Sequence, residues 1–215
     1  MLLNTPLKTA PAALLALALT LACFAFAGCG LNPGPAPPAY TLHPNLPGPL
    51  AGEHRVSDKL QLGINLPLAD EALDNNRVAI LIDNREYRYW KNATWTSQTP
   101  DLLQRWIIAA FESDGRLFVS ADDANGFLAD FRLASYIREF NVILGPDGKY
   151  SVALAINARL IDLRDGKISA VFNQRYEQPA AGEDLSAVMD AFDVVTGRVL
   201  SELISWTIDN LNLIR

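Results

Sequence analysis

The alternation of apolar and polar residues predicts three short strands in the first half of the chain. Residues 59–64 alternate between apolar and polar or small side chains, as a half-buried strand does. Residues 78–82 form a continuous apolar run, which is typical of a buried strand. The turn residues Asp83 and Asn84 then precede a third predicted strand at 87–90.

A stronger strand pattern occupies the second half of the chain. Segments 131–144 and 149–163 flank the turn sequence Gly-Pro-Asp-Gly at 145–148. A second turn at 164–167 leads to a third strand with Ile168, Ala170 and Phe172 on one face. The middle strand also has a single apolar face, made of Tyr150, Val152, Leu154, Ile156, Ala158 and Leu160. The pattern predicts an antiparallel meander of three strands.

Two other segments repeat every three or four residues, which is the period of an α-helix. In the first, Thr99 is expected to cap the helix, Pro100 suits its first position, and Asp114-Gly115 ends it. The second runs from about Gly182 to near the C-terminus, with an apolar stripe of Leu185, Val188, Phe192, Val195, Val199, Leu203 and Trp206. The elements together predict an α+β fold with two layers: an antiparallel-rich mixed sheet and two main helices packed on one face.

The N-terminus has the pattern of a bacterial lipoprotein precursor. Lys8 precedes an almost unbroken apolar run from 12 to 27, and Phe26-Ala27-Gly28-Cys29 matches a lipobox, with lipid expected on Cys29. Cys23 is a weaker candidate because Thr20-Leu21-Ala22 lacks the small pair. The alternative, a transmembrane helix at 12–28, is at the short end for a hydrocarbon core of about 30 Å.

These features divide the chain into three parts. Residues 1–28 are predicted to be a signal peptide, residues 29–56 the lipidated cysteine with a Pro/Gly-rich tether, and residues 57–215 a single globular domain. Gly30, instead of the Asp that retains lipoproteins at the inner membrane, favours the outer membrane, with the domain facing the periplasm. After cleavage Cys29 is the only cysteine, so no disulfide is expected.

Composition and motifs argue against catalysis and nucleic-acid binding. Lys8 is the only charge in residues 1–28, so the mature chain carries 17 basic against 24 acidic residues, about −7 overall, without a basic cluster. His43 and His54 lie in the predicted tether, and no metal-binding, nucleophile or phosphate-loop motif is present. We therefore expect no enzyme activity, no cofactor and no metal. The acidic neighbours in predicted turns are expected to be structural or solvated: Asp122-Asp123, Glu183-Asp184, and Asp162 with Asp165.

The aromatic residues are the candidate contact site. A stretch of nine residues before the first predicted helix contains four of them: Tyr87, Tyr89, Trp90 and Trp95. Such a cluster can be core, a partner-binding surface or a lipid-contacting wall, and core is the first expectation. Trp106 and Trp206 lie on the apolar stripes of the two helices and are expected to pack between helix and sheet.

The order of these features resembles the ABC-type transport auxiliary lipoprotein family, which includes the paraquat-inducible protein C lipoproteins. The resemblance covers essentially the whole mature chain and combines weak pieces in a specific order. They are the lipobox at Cys29, Tyr40-Thr41-Leu42, Arg77-Val78-Ala79-Ile80 leading to Tyr87-Arg88-Tyr89 and Trp95, Pro100-Asp101-Leu102-Leu103, Val188-Met189-Asp190-Ala191-Phe192, and Trp206.

The resemblance implies an accessory component of a lipid transport system of the mammalian-cell-entry (MCE) type. The expected partners are an MCE substrate-binding protein and, through it, an inner-membrane permease and ATPase, with a homo-oligomer also expected. One alternative is an assembly or envelope-scaffold lipoprotein of the outer membrane that never meets transported lipid. A periplasmic hydrolase with an unrecognised site is the other alternative.

Overall fold

The computed structural model describes residues 36–46, 48, 60–121, 126 and 128–213. All of these except Ala36 belong to one compact unit that starts at Pro37. This unit is a mixed sheet with two helices, so the predicted α+β class is confirmed. The strands are β1 (Ala39–Tyr40), β2 (Gln61–Ile64), β3 (Leu68–Ala69), β4 (Arg77–Ile82), β5 (Glu86–Trp95), β6 (Phe118–Ala121), β7 (Phe131–Leu144), β8 (Tyr150–Asp162) and β9 (Lys167–Pro179); the helices are α1 (Thr99–Asp114) and α2 (Leu185–Leu213).

The long strand β7 organises the sheet. Along one edge it pairs antiparallel with β8, which pairs antiparallel with β9, so the predicted meander is confirmed. Along its other edge β7 pairs in succession with β2, β3 and β4, all parallel to it. The long ladders are thus antiparallel, whereas β2–β6, β1–β5 and the three short ladders on β7 are parallel.

Helix α1 begins one residue earlier than its sequence suggests. Thr99 is the first helical residue and Gln98 precedes the helix, so the prediction that Thr99 caps α1 is wrong. The hydroxyl of Thr99 donates instead to the carbonyl oxygen of Asn75 at 3.1 Å, and its amide bonds the same oxygen at 3.0 Å. The helix ends as predicted, because Gly115 takes a left-handed conformation (φ 75°) that suits glycine.

Both helices pack on one face of the sheet over a continuous apolar core. At its centre three rings from β5, β7 and α2 meet: the centroid of Trp95 lies 5.4 Å from that of Phe140 and 5.0 Å from that of Phe192. The centroids of Phe140 and Phe192 are 4.8 Å apart. Neither of the two described helices covers the opposite surface, where the side chains alternate with the buried ones along each strand, and we call it the helix-free face.

Part of the segment predicted as a tether is packed on the domain. We call residues 39–46 the strap. It starts as β1, which pairs with the end of β5, and its Leu42 is fully buried. The amide of His43 donates to the carboxylate of Asp193 on α2 at 2.6 Å. Burial of the apolar Leu42 in the core removes it from water and so holds the strap against the domain. The proline-rich sequence around it does not predict this contact.

A glycine on α2 allows the strap to approach. A Cβ atom on Gly197 would lie 3.0 Å from the carbonyl oxygen and 3.4 Å from the amide nitrogen of Asn45. We expect Gly197→Val to lower the free energy of unfolding by about 1–3 kcal/mol through this overlap. Urea denaturation measures the loss. Ser205→Val, at an exposed position of the same helix, controls for the helix propensity of valine, and equal losses in the two variants would contradict the tight contact.

Candidate functional site

Several residues singled out by sequence lie outside the described part of the chain. They include the predicted signal peptide at 1–28, the two anchor candidates Cys29 and Cys23, and Gly30, His54, Asp122 and Asp123. His43 lies within the described residues and is exposed. Its backbone amide donates a hydrogen bond to the carboxylate of Asp193. Burial raises the pKa of the Asp193 carboxyl, and this amide hydrogen bond opposes the rise.

The structure separates the four clustered aromatic residues. Trp95 is 1% exposed and belongs to the central ring cluster with Phe140 and Phe192. Trp90 is half-buried and packs against Tyr150, with 5.3 Å between ring centroids. On the two helices, Trp206 packs against Phe172 of β9. Trp106 of α1 lines a shallow depression together with Thr41 of the strap.

Tyr87 and Tyr89 instead follow the helix-free face. Tyr87 is paired with Leu81 of β4, and Leu81 is paired with Ile143 of β7. Ile143 follows the buried Val142, so it and its paired neighbours point away from the core. Burial raises the pKa of Tyr87, and the nearby charges of Glu139 and Asp70 raise it further. The hydroxyl of Tyr89 donates to the carbonyl oxygen of Ala72 at 3.2 Å, and the Arg77 guanidinium lies 3.4 Å from its ring centroid. Both tyrosines are half-buried: they pack against the core and also remain partly accessible to solvent.

The acidic residues of the predicted turns have structural contacts. Asp184 caps α2 by accepting a hydrogen bond from the amide of Ala187 at 3.0 Å. Asp162 pairs with Arg164 at 2.9 Å, and Asp165 pairs with Lys167 at 2.8 Å. These bonds hold the pKa of both aspartates below the ordinary value, so the carboxylates stay charged in structural pairs.

Charged pairs cover the helix-free face near its middle. The guanidinium of Arg175 on β9 bonds the carboxylates of Glu139 and Glu177 at 2.9 and 3.0 Å. These side chains lie over small buried alanines, Ala153 and Ala155. Such partly exposed pairs contribute little to stability, typically below about 1 kcal/mol each, so they give the face a fixed charge pattern more than strength.

Next to these pairs is a cavity of about 130 Å³, lined by side chains of β3, β7 and β8. The strand register places Leu68, Tyr136 and Asn157 side by side. Arg159 lies two residues after Asn157 on the same face of β8. Arg138 contributes from the β7 bulge, with its guanidinium 4.4 Å from the Tyr136 ring centroid. The hydroxyl of Tyr136 donates to Asp70, and this bond raises the pKa of the phenol. The sequence alone does not reveal this site, because only the strand register brings Arg138 and Arg159 to one cavity.

The described residues include neither a candidate metal-binding cluster nor a helix that could span a membrane. No group of three or more His, Cys, Asp or Glu within them could hold a metal ion. Neither α1 nor α2 is both long and apolar enough to cross a membrane.

Comparison with solved structures shows the same fold in other proteins. Protein XCC0632 from Xanthomonas campestris superposes with a TM-score of 0.73 at 24% identity, covering 80% of this chain and 95% of that one. An uncharacterized protein superposes with a TM-score of 0.60 at 13% identity, covering 79% of this chain and 99% of that one. At these identities the likeness establishes the fold alone.

Comparison of sequences gives the family. The uncharacterized protein bll6063 of Bradyrhizobium diazoefficiens is 28% identical over 114 residues, which are 53% of this chain but only 30% of that relative. The family described as ABC-type transport auxiliary lipoprotein component matches residues 40–203, which run from Tyr40 of the strap through about two thirds of α2. The resemblance noted from the sequence is therefore confirmed, and the chain belongs to the ABC-type transport auxiliary lipoprotein family.

Proposed function

We propose that this protein is a non-catalytic accessory lipoprotein of an MCE-type ABC lipid transport system. It docks the MCE substrate-binding protein at the outer membrane, and through that protein it works with the inner-membrane permease and ATPase. The observation that carries the proposal is the family match over residues 40–203, because it covers all of the strap but its first residue, strands β2 to β9, helix α1 and about two thirds of α2.

The proposed anchor is lipid on Cys29, including a palmitate-type acyl chain. More than one acyl chain gives stable membrane attachment, at about 0.8 kcal/mol per buried CH₂. Gly30 supports sorting to the outer membrane, so that the domain faces the periplasm. The family assignment supports a soluble domain held at a membrane by lipid.

A non-catalytic role is supported by how the titratable groups are used. Asp162, Asp165 and Asp184 pair with cations or cap a helix, and His43 contributes a backbone amide. Groups used in this way are not arranged as an acid–base pair around a substrate. We accordingly propose that the domain acts by binding other macromolecules.

We propose Tyr87 and Tyr89, with Trp90, as the contact residues, and β9 as a second contact element. Both tyrosines lie on the helix-free face, and half-buried aromatic residues are frequent anchors of interfaces. β9 pairs only with β8 among the described strands, so its other edge offers unpaired backbone groups. A second copy of the chain at such an edge would build the homo-oligomer that we expect around the MCE conduit.

The proposal is tested by affinity capture of the tagged full chain from gently solubilised envelopes, with mass spectrometry of proteins and lipids. We expect an MCE protein with its permease or ATPase. Capture of outer-membrane assembly or scaffold proteins alone would reject the docking role in favour of the scaffold alternative. Cys23→Ser is the matched control for Cys29→Ser: only Cys29→Ser should release the protein from the outer-membrane fraction and abolish capture. If Cys23→Ser did so instead, the assigned anchor would be wrong.

A further inference from the structure

The cavity between Arg138 and Arg159 on the helix-free face has no part in the docking role proposed above. Its volume of about 130 Å³ is well below the roughly 300–1,000 Å³ of pockets that enclose a whole small-molecule ligand. The cavity therefore suits the charged end of a molecule, with the remainder outside.

Both arginines of this cavity are exposed and have no carboxylate partner, whereas several other arginines of the domain have one. Arg164 and Arg175 both bond carboxylates, as do Arg88 on β5 and Arg116 after α1. In the described part of the chain, neither Arg138 nor Arg159 has a carboxylate within 4.0 Å, and the side-chain amide of Asn157 has no hydrogen-bond partner. Two guanidinium groups and one amide thus share a cavity with their donors unused.

One of the two guanidinium groups is already positioned. That of Arg138 lies over the ring of Tyr136, which uses the flat face of the cation and leaves its N–H groups free at the edge. Tyr136 is itself fixed by its hydrogen bond to Asp70. The Asp70 carboxylate keeps its negative charge in this bond, but neither arginine forms an ion pair with it.

The surroundings of the cavity are apolar on the sides facing β3 and β9. Leu68, which lines it, is 67% exposed, and Val171, the register neighbour of Arg159, is 56% exposed. An exposed leucine and an exposed valine beside two unpaired cations suit a ligand whose anionic group continues into an apolar part.

We propose that the Arg138–Arg159 cavity binds a phosphate group, either free or as a lipid headgroup. Register places the two arginines on either side of the Tyr136–Asn157 pair, so they approach a bound group from opposite directions. A phosphate has enough oxygens to accept from both guanidinium groups and from the Asn157 amide together, whereas a carboxylate has two. The proposal rests on these contacts and not on the proposed docking of an MCE protein.

The test uses the full chain in a non-ionic detergent, labelled with ¹⁵N at the arginine side chains. Inorganic phosphate is titrated at constant ionic strength, and a parallel titration adds phosphatidylglycerol to the micelles. We expect saturable shifts of two Nε–Hε signals, assigned by their loss in Arg138→Gln and Arg159→Gln. Each variant should weaken binding about tenfold, measured on the signal that remains. Arg88→Gln removes the same charge at an exposed ion pair and should leave the affinity unchanged.

Saturation by inorganic phosphate would identify a free phosphate or phosphate ester as the source, and saturation only with phosphatidylglycerol would identify a lipid headgroup. Both outcomes support the site. Absence of saturable shifts in both titrations would overturn it, and so would equal weakening in Arg88→Gln, which would indicate non-specific attraction. Affinity capture has a separate readout, so the docking role and the phosphate site can fail independently.

Discussion

Trp95→Ala is expected to lower the free energy of unfolding by about 3–5 kcal/mol, the range for removing a large aromatic side chain from a core. Trp95 is 1% exposed and contacts both Phe140 of β7 and Phe192 of α2, so its loss opens a cavity where strand, sheet centre and helix meet. The free energy of unfolding is measured by urea denaturation, followed by circular dichroism.

Trp90→Ala is the matched control, because it makes the same change in the same strand at a half-buried position with Tyr150 as its ring neighbour. We expect it to cost clearly less, about 1–2 kcal/mol. The core assignment of Trp95 would be wrong if Trp95→Ala abolished partner capture while the melting temperature stayed that of the unmodified protein.

Leu42→Ala is expected to cost about 2–5 kcal/mol, although the residue lies in a proline-rich stretch that the sequence predicts to be a tether. Leu42 is 0% exposed, and its truncation leaves a void under the strap that the β1–β5 pair and the His43–Asp193 bond prevent from closing. Thermal and urea unfolding of the full chain measure the loss.

Leu66→Ala provides the comparison, since Leu66 is 49% exposed and the same truncation there should change stability by less than about 0.5 kcal/mol. Equal and small effects at both positions would mean that the strap detaches readily in solution. A large effect at Leu42 alone would place residues 39–46 within the cooperative unit of the domain.

The long elements could be predicted because each satisfies its periodicity over many residues. The β7–β8 and β8–β9 turns are marked by Gly148 and Gly166, both at positive φ, so turn chemistry and strand alternation agree. The stripes of α1 and α2 likewise extend over several turns. Local chemistry fixes such elements, and their tertiary contacts follow the same pattern.

The short strands could not be predicted, because β1 and β3 have two residues each and contain no period. They exist only because a neighbouring strand supplies the ladder: β1 pairs with β5, and β3 with the middle of β7. The error at Thr99 has a similar origin, since the carbonyl of Asn75, distant in sequence, binds the hydroxyl that was expected to cap the helix.

The candidate site was predicted in part. Crowding in sequence drew attention to Tyr87 and Tyr89, but alternation and the bulge between β4 and β5 send Trp95 to the core instead. Arg138 and Arg159 are distant in sequence, and neither has a distinctive motif. Only the strand register brings the two to one cavity without an acidic partner, a property of the folded surface that composition cannot reveal.

The packed strap also shortens the proposed tether between the lipid anchor and the domain. With the lipid on Cys29, as proposed, ten residue steps reach Ala39, a contour of at most about 36 Å, whereas a tether to residue 57 would have 28 steps and reach about 100 Å. With this anchor, Ala39 would stay within about 36 Å of the outer membrane. A conduit from the inner membrane would then have to cross most of the periplasm to meet the domain.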